Sequence, residues 1–346
     1  MSYLTKKRTG ENMSRTLRLS AAALAVIALG SITVAATAAP DKKAATYNVA
    51  FVSSISNTFT AAIYNGFKDA AKGKPVKVTM FDVGVDPQKE YSTIQDIVAQ
   101  KQYQGIAMLP LDPVSVIPAV KAAIKAGVKV VTFNNPLGPD LNTLRPQVPG
   151  QTAVVMDATQ FQRGIWMGQM AVDACKGINP CQVSYMQGLA GIAGETALRN
   201  GFRKGIAGHS SVKYVGNRAA GGYTPQQGQT ATQDLLQAIP GLNVLASSDQ
   251  IVRGAYLASQ SAGKTKQLKL IGLGGSSSGV AATRSGQWYG TVVTLPYDIG
   301  VQSLNVLVRG IKTGVKGLAI NVTTATGTNP KLTKKNAASF KPQWTG

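Results

Sequence analysis

Short apolar runs alternate with longer amphipathic stretches along most of this chain, and that alternation constrains its fold more than any other feature. Tyr47–Ser53 reads as a mostly apolar strand, and Thr58–Lys72 then carries Phe59, Ala62, Ile63, Phe67 and Ala70 at helical spacing. Val76–Val83 is the next strand, followed by a helix opened by Pro87 with Tyr91, Ile94, Ile97 and Val98 as its stripe. Gly105–Leu109 and Val128–Phe133 are buried strands flanking a helix expected over Pro113–Ala126 and stopped by Gly127. The Pro/Gly-rich stretch Asn134–Thr152 interrupts the rhythm and marks a crossing between domains. A second series follows, with strands expected at Ala153–Met156, Gln182–Met186, Val212–Val215, Asn243–Ala246, Leu268–Gly272 and Tyr289–Leu295. Helices fall near 160–175, 195–207, 225–238, 250–262, 277–284 and 298–312. Strands alternating with helices build parallel sheets, so the expectation is α/β with two doubly wound lobes.

Compartment comes from the first 38 residues. Lys6, Lys7, Arg8, Arg15 and Arg18 precede an apolar centre at Ala21–Leu29, and Ala36-Thr37-Ala38 supplies small residues for cleavage. Basic region, apolar region and small-residue site together describe a secretory signal peptide over 1–38, with 39–46 as a linker; either Met1 or Met13 can start it. An uncleaved anchor is the rival reading, weakened by Gly30, Thr33 and Thr37 within the uncharged run. The 36 Lys/Arg against 15 Asp/Glu give +21, or +17 without residues 1–38. These charges are spread rather than clustered with aromatics, so a solvated cationic surface is expected and nucleic acid is not. Hydrophobic residues at 44% and charged residues at 15% exclude intrinsic disorder. In an oxidising compartment Cys175 and Cys181, separated by the five residues Lys-Gly-Ile-Asn-Pro, are expected to form a disulfide.

In open parallel sheets ligands sit beyond the carboxyl ends of the strands, so the loops there decide function. The loop Ser53-Ser54-Ile55-Ser56-Asn57-Thr58-Phe59 is not a dinucleotide turn, and no phosphate-binding glycine loop ending in Lys-Ser/Thr occurs. Phe59 is open to two readings, a core residue or a stacking platform. His209 is the only histidine and lies between a helix and a strand, at the wrong end for ligand binding, and reads as surface. Gly275-Ser276-Ser277-Ser278-Gly279 matches a nucleophile elbow in form, but no histidine follows it to act as base. No His/Cys/carboxylate spacing suits a metal, so neither catalysis, metal nor cofactor is expected. Gln187-Gly188-Leu189-Ala190-Gly191-Ile192-Ala193-Gly194 brings three glycines to the start of a helix, where backbone N–H groups can meet a ligand. Binding is the expected activity.

From Tyr47 to Val322 the chain resembles the monosaccharide class of type I periplasmic binding proteins, the class of the ribose binders. The resemblance rests on ordered motifs: Ser56-Asn57-Thr58-Phe59, Pro110-Leu111-Asp112, Val131-Thr132-Phe133-Asn134-Asn135, Gln187-Gly188-Leu189-Ala190-Gly191, Ser247-Ser248-Asp249, Ile271-Gly272-Leu273-Gly274-Gly275 and Leu295-Pro296-Tyr297-Asp298-Ile299-Gly300. It implies two lobes joined by a three-segment hinge, 47–155 plus 296–322 and 156–295 plus 323–346, closing on a ligand between them. The ligand residues it implies are Asn57, Phe59, Asn134, Asn135, Thr196, Tyr223, Ser248, Gly274 and Thr294. It further implies a monomeric periplasmic or secreted protein that passes a sugar or polyol to the permease of an ABC transporter. A membrane sensor as partner and a hydrolase on the same scaffold are the alternatives. Ribose binders commonly carry Asp-Arg at the place of Asn134-Asn135, Arg at that of Thr196 and Asp at that of Gly274. Trading charge-assisted hydrogen bonds for amides and hydroxyls predicts a more neutral pocket and a ligand other than ribose.

Overall fold

A computed structural model describes residues 45–346; the signal-peptide reading of 1–38 and most of the linker lie outside the described residues. The first sheet begins with β1 (Tyr47–Ser53), α1 (Thr58–Ala71), β2 (Val76–Asp82), α2 (Pro87–Ala99), β3 (Gly105–Met108), α3 (Ile117–Lys125), β4 (Lys129–Phe133) and β5 (Ala153–Met156). The second is built from α4 (Gln160–Ala174), β6 (Cys181–Gln187), α5 (Ala193–Ile206), β7 (Val212–Ala219), α6 (Pro225–Ala238), β8 (Leu242–Ala246), α7 (Asp249–Ser261), β9 (Lys269–Gly274), α8 (Ser277–Ser285) and β10 (Gly290–Val293). The chain then returns through α9 (Pro296–Thr313) and β11 (Leu318–Asn321), and ends with α10 (Val322–Thr326), β12 (Lys331–Thr333) and a short 3-10 turn at Ala337–Ser339.

Strand order is β11-β5-β4-β3-β1-β2 in one sheet and β12-β10-β9-β8-β6-β7 in the other. The chain therefore passes between the sheets after β5, after β10 and after β11. The two orders are the same doubly wound pattern, whose ligand position is the switch point between β1 and β3, or β6 and β8. All pairings within the sheets are parallel except β10 with β12, an antiparallel edge. Each sheet is packed on both faces by helices. Phe51, Phe67 and Phe133 anchor one face of the first, and Val183, Phe202 and Ile271 one face of the second.

Several boundaries differ from the sequence reading. The expected helix over Pro113–Ala126 starts only at Ile117, because the Asp112 carboxylate accepts from the N–H groups of Val114 and Ser115 and holds those residues in a turn. The strand expected at Val212–Val215 runs on to Ala219. Edge strands β11 and β12 were not legible: at four and three residues they are too short to show a period, and only their neighbours make them strands. Cys175 and Cys181 are bonded, with Cα atoms 5.7 Å apart, and Gly177 at φ 84° makes the reversal between them.

Candidate functional site

The loops at the carboxyl ends of the two sheets face each other and enclose a cavity of about 110 Å³. At roughly 10–15 Å³ of such space per water, this suits a ligand of monosaccharide size rather than a larger one. From the first sheet come Asn57 and Phe59, at the start of α1, and Asn134, just past β4. The second sheet contributes Tyr185, Tyr223, Ser248, Leu273, Gly274 and Thr294 from its strand ends and loops. Helices α4, α5 and α7 add Gln160, Arg163, Glu195, Leu198 and Gln250, and the last turn of chain adds Trp344.

Asn57 is held by the helix it caps: its Oδ1 accepts from Thr60 N at 2.9 Å, which leaves the amide N–H groups without a partner in the described residues. Asn134 sits at φ 63°, a left-handed conformation that asparagine tolerates, so its side chain turns off the end of β4. Across from it, Arg163 donates to Asn134 Oδ1 at 2.9 Å and to Gln160 Oε1 at 3.0 Å, and is ion-paired with Asp157. Asp157 and Arg163 are both almost fully buried, so the one guanidinium of the cavity arrives with its charge already matched.

Glu195 is buried and accepts three hydrogen bonds, from Tyr185 OH at 2.8 Å, Tyr223 OH at 2.6 Å and Gly188 N at 3.1 Å. Burial raises its pKa while those bonds pull it down. Burial, and then the Glu195 charge, push both tyrosines well above their ordinary range, so at neutral pH they are donors that fix the Tyr223 ring beside the cavity. Asp249 plays a similar part below the floor, accepting from Ser276 N and Oγ and from Thr291 Oγ1 at 2.7–2.8 Å, with burial raising its pKa. It ties the ends of β8, β9 and β10 together.

Two polar groups on the α7 side retain unused hydrogen-bonding capacity. Ser248 Oγ is buried with no partner, and the amide of Gln250 makes no hydrogen bond among the described residues. Buried polar groups of this kind cost free energy unless something satisfies them.

Of the nine residues named from the sequence, Asn57, Phe59, Asn134, Tyr223, Ser248, Gly274 and Thr294 are brought together around this cavity. Asn135 lines a smaller adjoining recess, where its amide donates to Pro110 O at 3.1 Å and accepts from Gln160 at 3.2 Å. Thr196 does not line the cavity; Glu195 and Leu198, three apart on α5, form the inward face and turn Thr196 aside. Phe59 takes part in both surroundings: half-buried, it packs against the core of the first sheet and lines the cavity, edge-on to Trp344 at 5.5 Å between ring centroids. Sequence reasoning missed Gln160, Arg163, Tyr185, Glu195, Leu198, Gln250, Leu273 and Trp344. Buried charge on the otherwise apolar faces of α4 and α5 was the available signal for Arg163 and Glu195.

A further buried carboxylate lies behind the first-sheet loops. Glu90 on α2 is fully buried, with Oε1 2.7 Å from Ser54 Oγ and Oε2 accepting from Leu111 N at 3.1 Å. Burial pushes its pKa up to about 7, against the lowering effect of those bonds. Ser54 Oγ is also 2.7 Å from Leu109 O, so a protonated Glu90 can donate to Ser54 while Ser54 donates onward. Because the folded-state pKa lies above the unfolded one, the protein is most stable below about pH 4.5 in this respect and loses stability as pH rises through about 7. Glu90→Gln mimics the protonated form and is expected to flatten this dependence. Each tenfold change in proton affinity is worth about 1.4 kcal/mol, so the variant should gain roughly 3 kcal/mol over wild type at pH 8 and little at pH 5, read from urea melts at both values. Equal gains at both pH values would contradict this assignment.

Comparison with known proteins places these observations in context. Residues 49–316 match a family model described as periplasmic binding protein domain. The chain is 27% identical over 263 residues to the D-allose-binding periplasmic protein of Escherichia coli (strain K12), covering 75% of this chain and 83% of that one. Among solved structures it resembles an ABC transporter periplasmic solute-binding protein from Actinobacillus succinogenes 130z with bound D-allose, at TM-score 0.72 and 18% identity, covering 85% of this chain and 100% of that one. An ABC transporter solute-binding protein from Bacillus halodurans C-125 with bound myo-inositol matches at TM-score 0.73 and 18% identity, covering 86% of this chain and 97% of that one.

Proposed function

The chain belongs to the periplasmic binding protein domain family, whose matched relatives are solute-binding proteins rather than enzymes, and from that premise we propose that it captures a neutral monosaccharide or polyol in the cleft between its two sheets and passes it to an ABC importer. The observation that carries this reading is the chemistry of the cavity. Its walls are aromatic, its one guanidinium and its buried carboxylate are both already bonded, and the groups left to bond a ligand are uncharged: the amides of Asn57, Asn134 and Gln250 and the hydroxyl of Ser248. Amides and hydroxyls on aromatic walls match the hydroxyls and C–H faces of a sugar or polyol, and leave a charged ligand without a counter-charge.

On this reading residues 1–38 export the protein, and the three passages between sheets form the hinge about which the lobes close. Ligand and closed state favour one another because the cavity draws side chains from both sheets.

A thermal-shift screen tests the proposal. D-allose, D-ribose, myo-inositol and glycerol are compared with L-leucine, L-glutamate and L-lysine. A ligand at a hundredfold excess over its Kd adds about 2.7 kcal/mol, which for a chain of this size raises the melting temperature by on the order of 5 °C. A shift with at least one sugar or polyol and with no amino acid is expected. A shift confined to the amino acids would overturn the reading.

A further inference from the structure

We propose that the C-terminal end of this chain is a wall of the ligand cleft, with Trp344 as the residue that selects what lies against β9. Trp344 is buried and lines the cavity, although it is only two residues from the end of the chain. Its indole N–H donates to Gly274 O at 2.9 Å, which sets the ring across the end of β9. The tail is fastened on both sides of that ring. Before it, the Gln343 amide pairs with Asp298 at the start of α9, donating to Oδ2 at 2.6 Å and accepting from the Asp298 N–H at 3.2 Å. After it, the carbonyls of Trp344 and Thr345 accept from Ser277 N at 2.8 Å and Ser278 N at 3.2 Å, partners for N–H groups that the first turn of α8 would otherwise leave unmade.

Trp344 and Gly274 form one device. A Cβ added at Gly274 would lie 2.5 Å from Trp344 Cζ2 and 2.8 Å from Asp249 Oδ2, so no larger residue fits while the indole is in place. The space that a side chain at position 274 would need is taken by the tryptophan, so the cavity meets an uncharged indole face there. That wall therefore favours a ligand presenting C–H groups toward β9 and disfavours one presenting a pair of hydroxyls there. The ring also meets Phe59 of the first sheet edge-on, so the tail attached to α8 touches the opposite side of the cleft. The selection by Trp344 rests on the sugar or polyol reading; the placement of the tail does not.

The test separates the two. Full-length mature protein labelled with 5-fluorotryptophan carries three fluorine reporters, at Trp166, Trp288 and Trp344, and loss of one resonance in Trp344→Phe assigns it. In unliganded protein the Trp344 resonance is expected to show a small H₂O/D₂O isotope shift, as for a buried ring, and to become solvent-exposed in Gly274→Asp. A wild-type resonance with the full shift of free tryptophan would overturn the proposal without reference to any ligand. D-allose, D-ribose, myo-inositol and the amino acids of the thermal-shift screen are then added in turn. Whichever compound stabilises the protein is expected to move the Trp344 resonance, and Trp344→Ala is expected to bind it at least tenfold more weakly. Stabilisation by a sugar or polyol that leaves the resonance in place and binds Trp344→Ala equally well would overturn the wall. Stabilisation by amino acids alone would sink the sugar reading and the selection argued from it.

Discussion

Asp157→Ala is expected to cost about 3–5 kcal/mol of stability, the amount typical of a buried ion pair that loses one partner. Asp157 is buried, and its carboxylate binds Arg163, the N–H of Ala158 at 2.7 Å and the N–H of Leu295 at 3.0 Å. It stands just after β5, at the first passage between sheets, and Leu295 stands just before α9, at the second. Removing it leaves a buried guanidinium without a counter-charge and unties those two passages. The double variant Asp157→Ala/Arg163→Met should recover part of the loss, because the stranded charge is gone. Urea unfolding of the three proteins checks this. A single variant within about 1 kcal/mol of wild type would contradict the role given to the pair.

Gly201→Val is expected to be at least as severe. Helices α4 and α5 are packed so closely that a Cβ at Gly201 would lie 2.0 Å from Phe161 O, and one at Gly164 would lie 2.1 Å from Leu198 O. These neighbours are backbone, which cannot swing aside as a side chain would. Overpacking costs about 1–3 kcal/mol even where side chains give way, so a cost above about 3 kcal/mol follows for valine. The consequence reaches the cavity, because α4 carries Gln160 and Arg163 and α5 carries Glu195 and Leu198. Forcing the helices apart separates those pairs. The exposed Asn200→Ala on the same helix is the control and should leave the melting temperature unchanged. A Gly201→Val protein that melts with wild type would show that the helices are not in this contact.

Much of the architecture was legible because burial on both faces of a parallel sheet leaves apolar runs such as Gly105–Met108 and Ala153–Met156, and these cannot be mistaken for surface. Asn57, Asn134, Ser248 and Gly274 were legible as cavity residues for a related reason: each sits where a strand ends and a helix or loop begins, which is where parallel sheets place ligands. Arg163 was not. It lies on α4 among Met167, Met170 and Ala171, and only the fold brings it onto Asn134, 29 residues away. Glu195 was passed over for its neighbour Thr196, since a resemblance fixes a helix more securely than the rotation of a residue around it. Trp344 carried no local signal at all. A tryptophan in a polar, proline-bearing tail reads as surface until Gly274 makes room for it.

Titration calorimetry of wild type and of Ser248→Ala/Gln250→Leu, each with D-allose, D-ribose and myo-inositol, tests most directly whether this cleft holds a neutral sugar or polyol. Neither side chain bonds to the rest of the protein through its polar group, so the variant should melt with wild type. Each ligand hydrogen bond lost is worth about 1 kcal/mol, so one-to-one binding to wild type and at least tenfold weaker binding to the variant are expected. Equal affinity for both proteins would contradict a ligand held by Ser248 and Gln250 in this cleft.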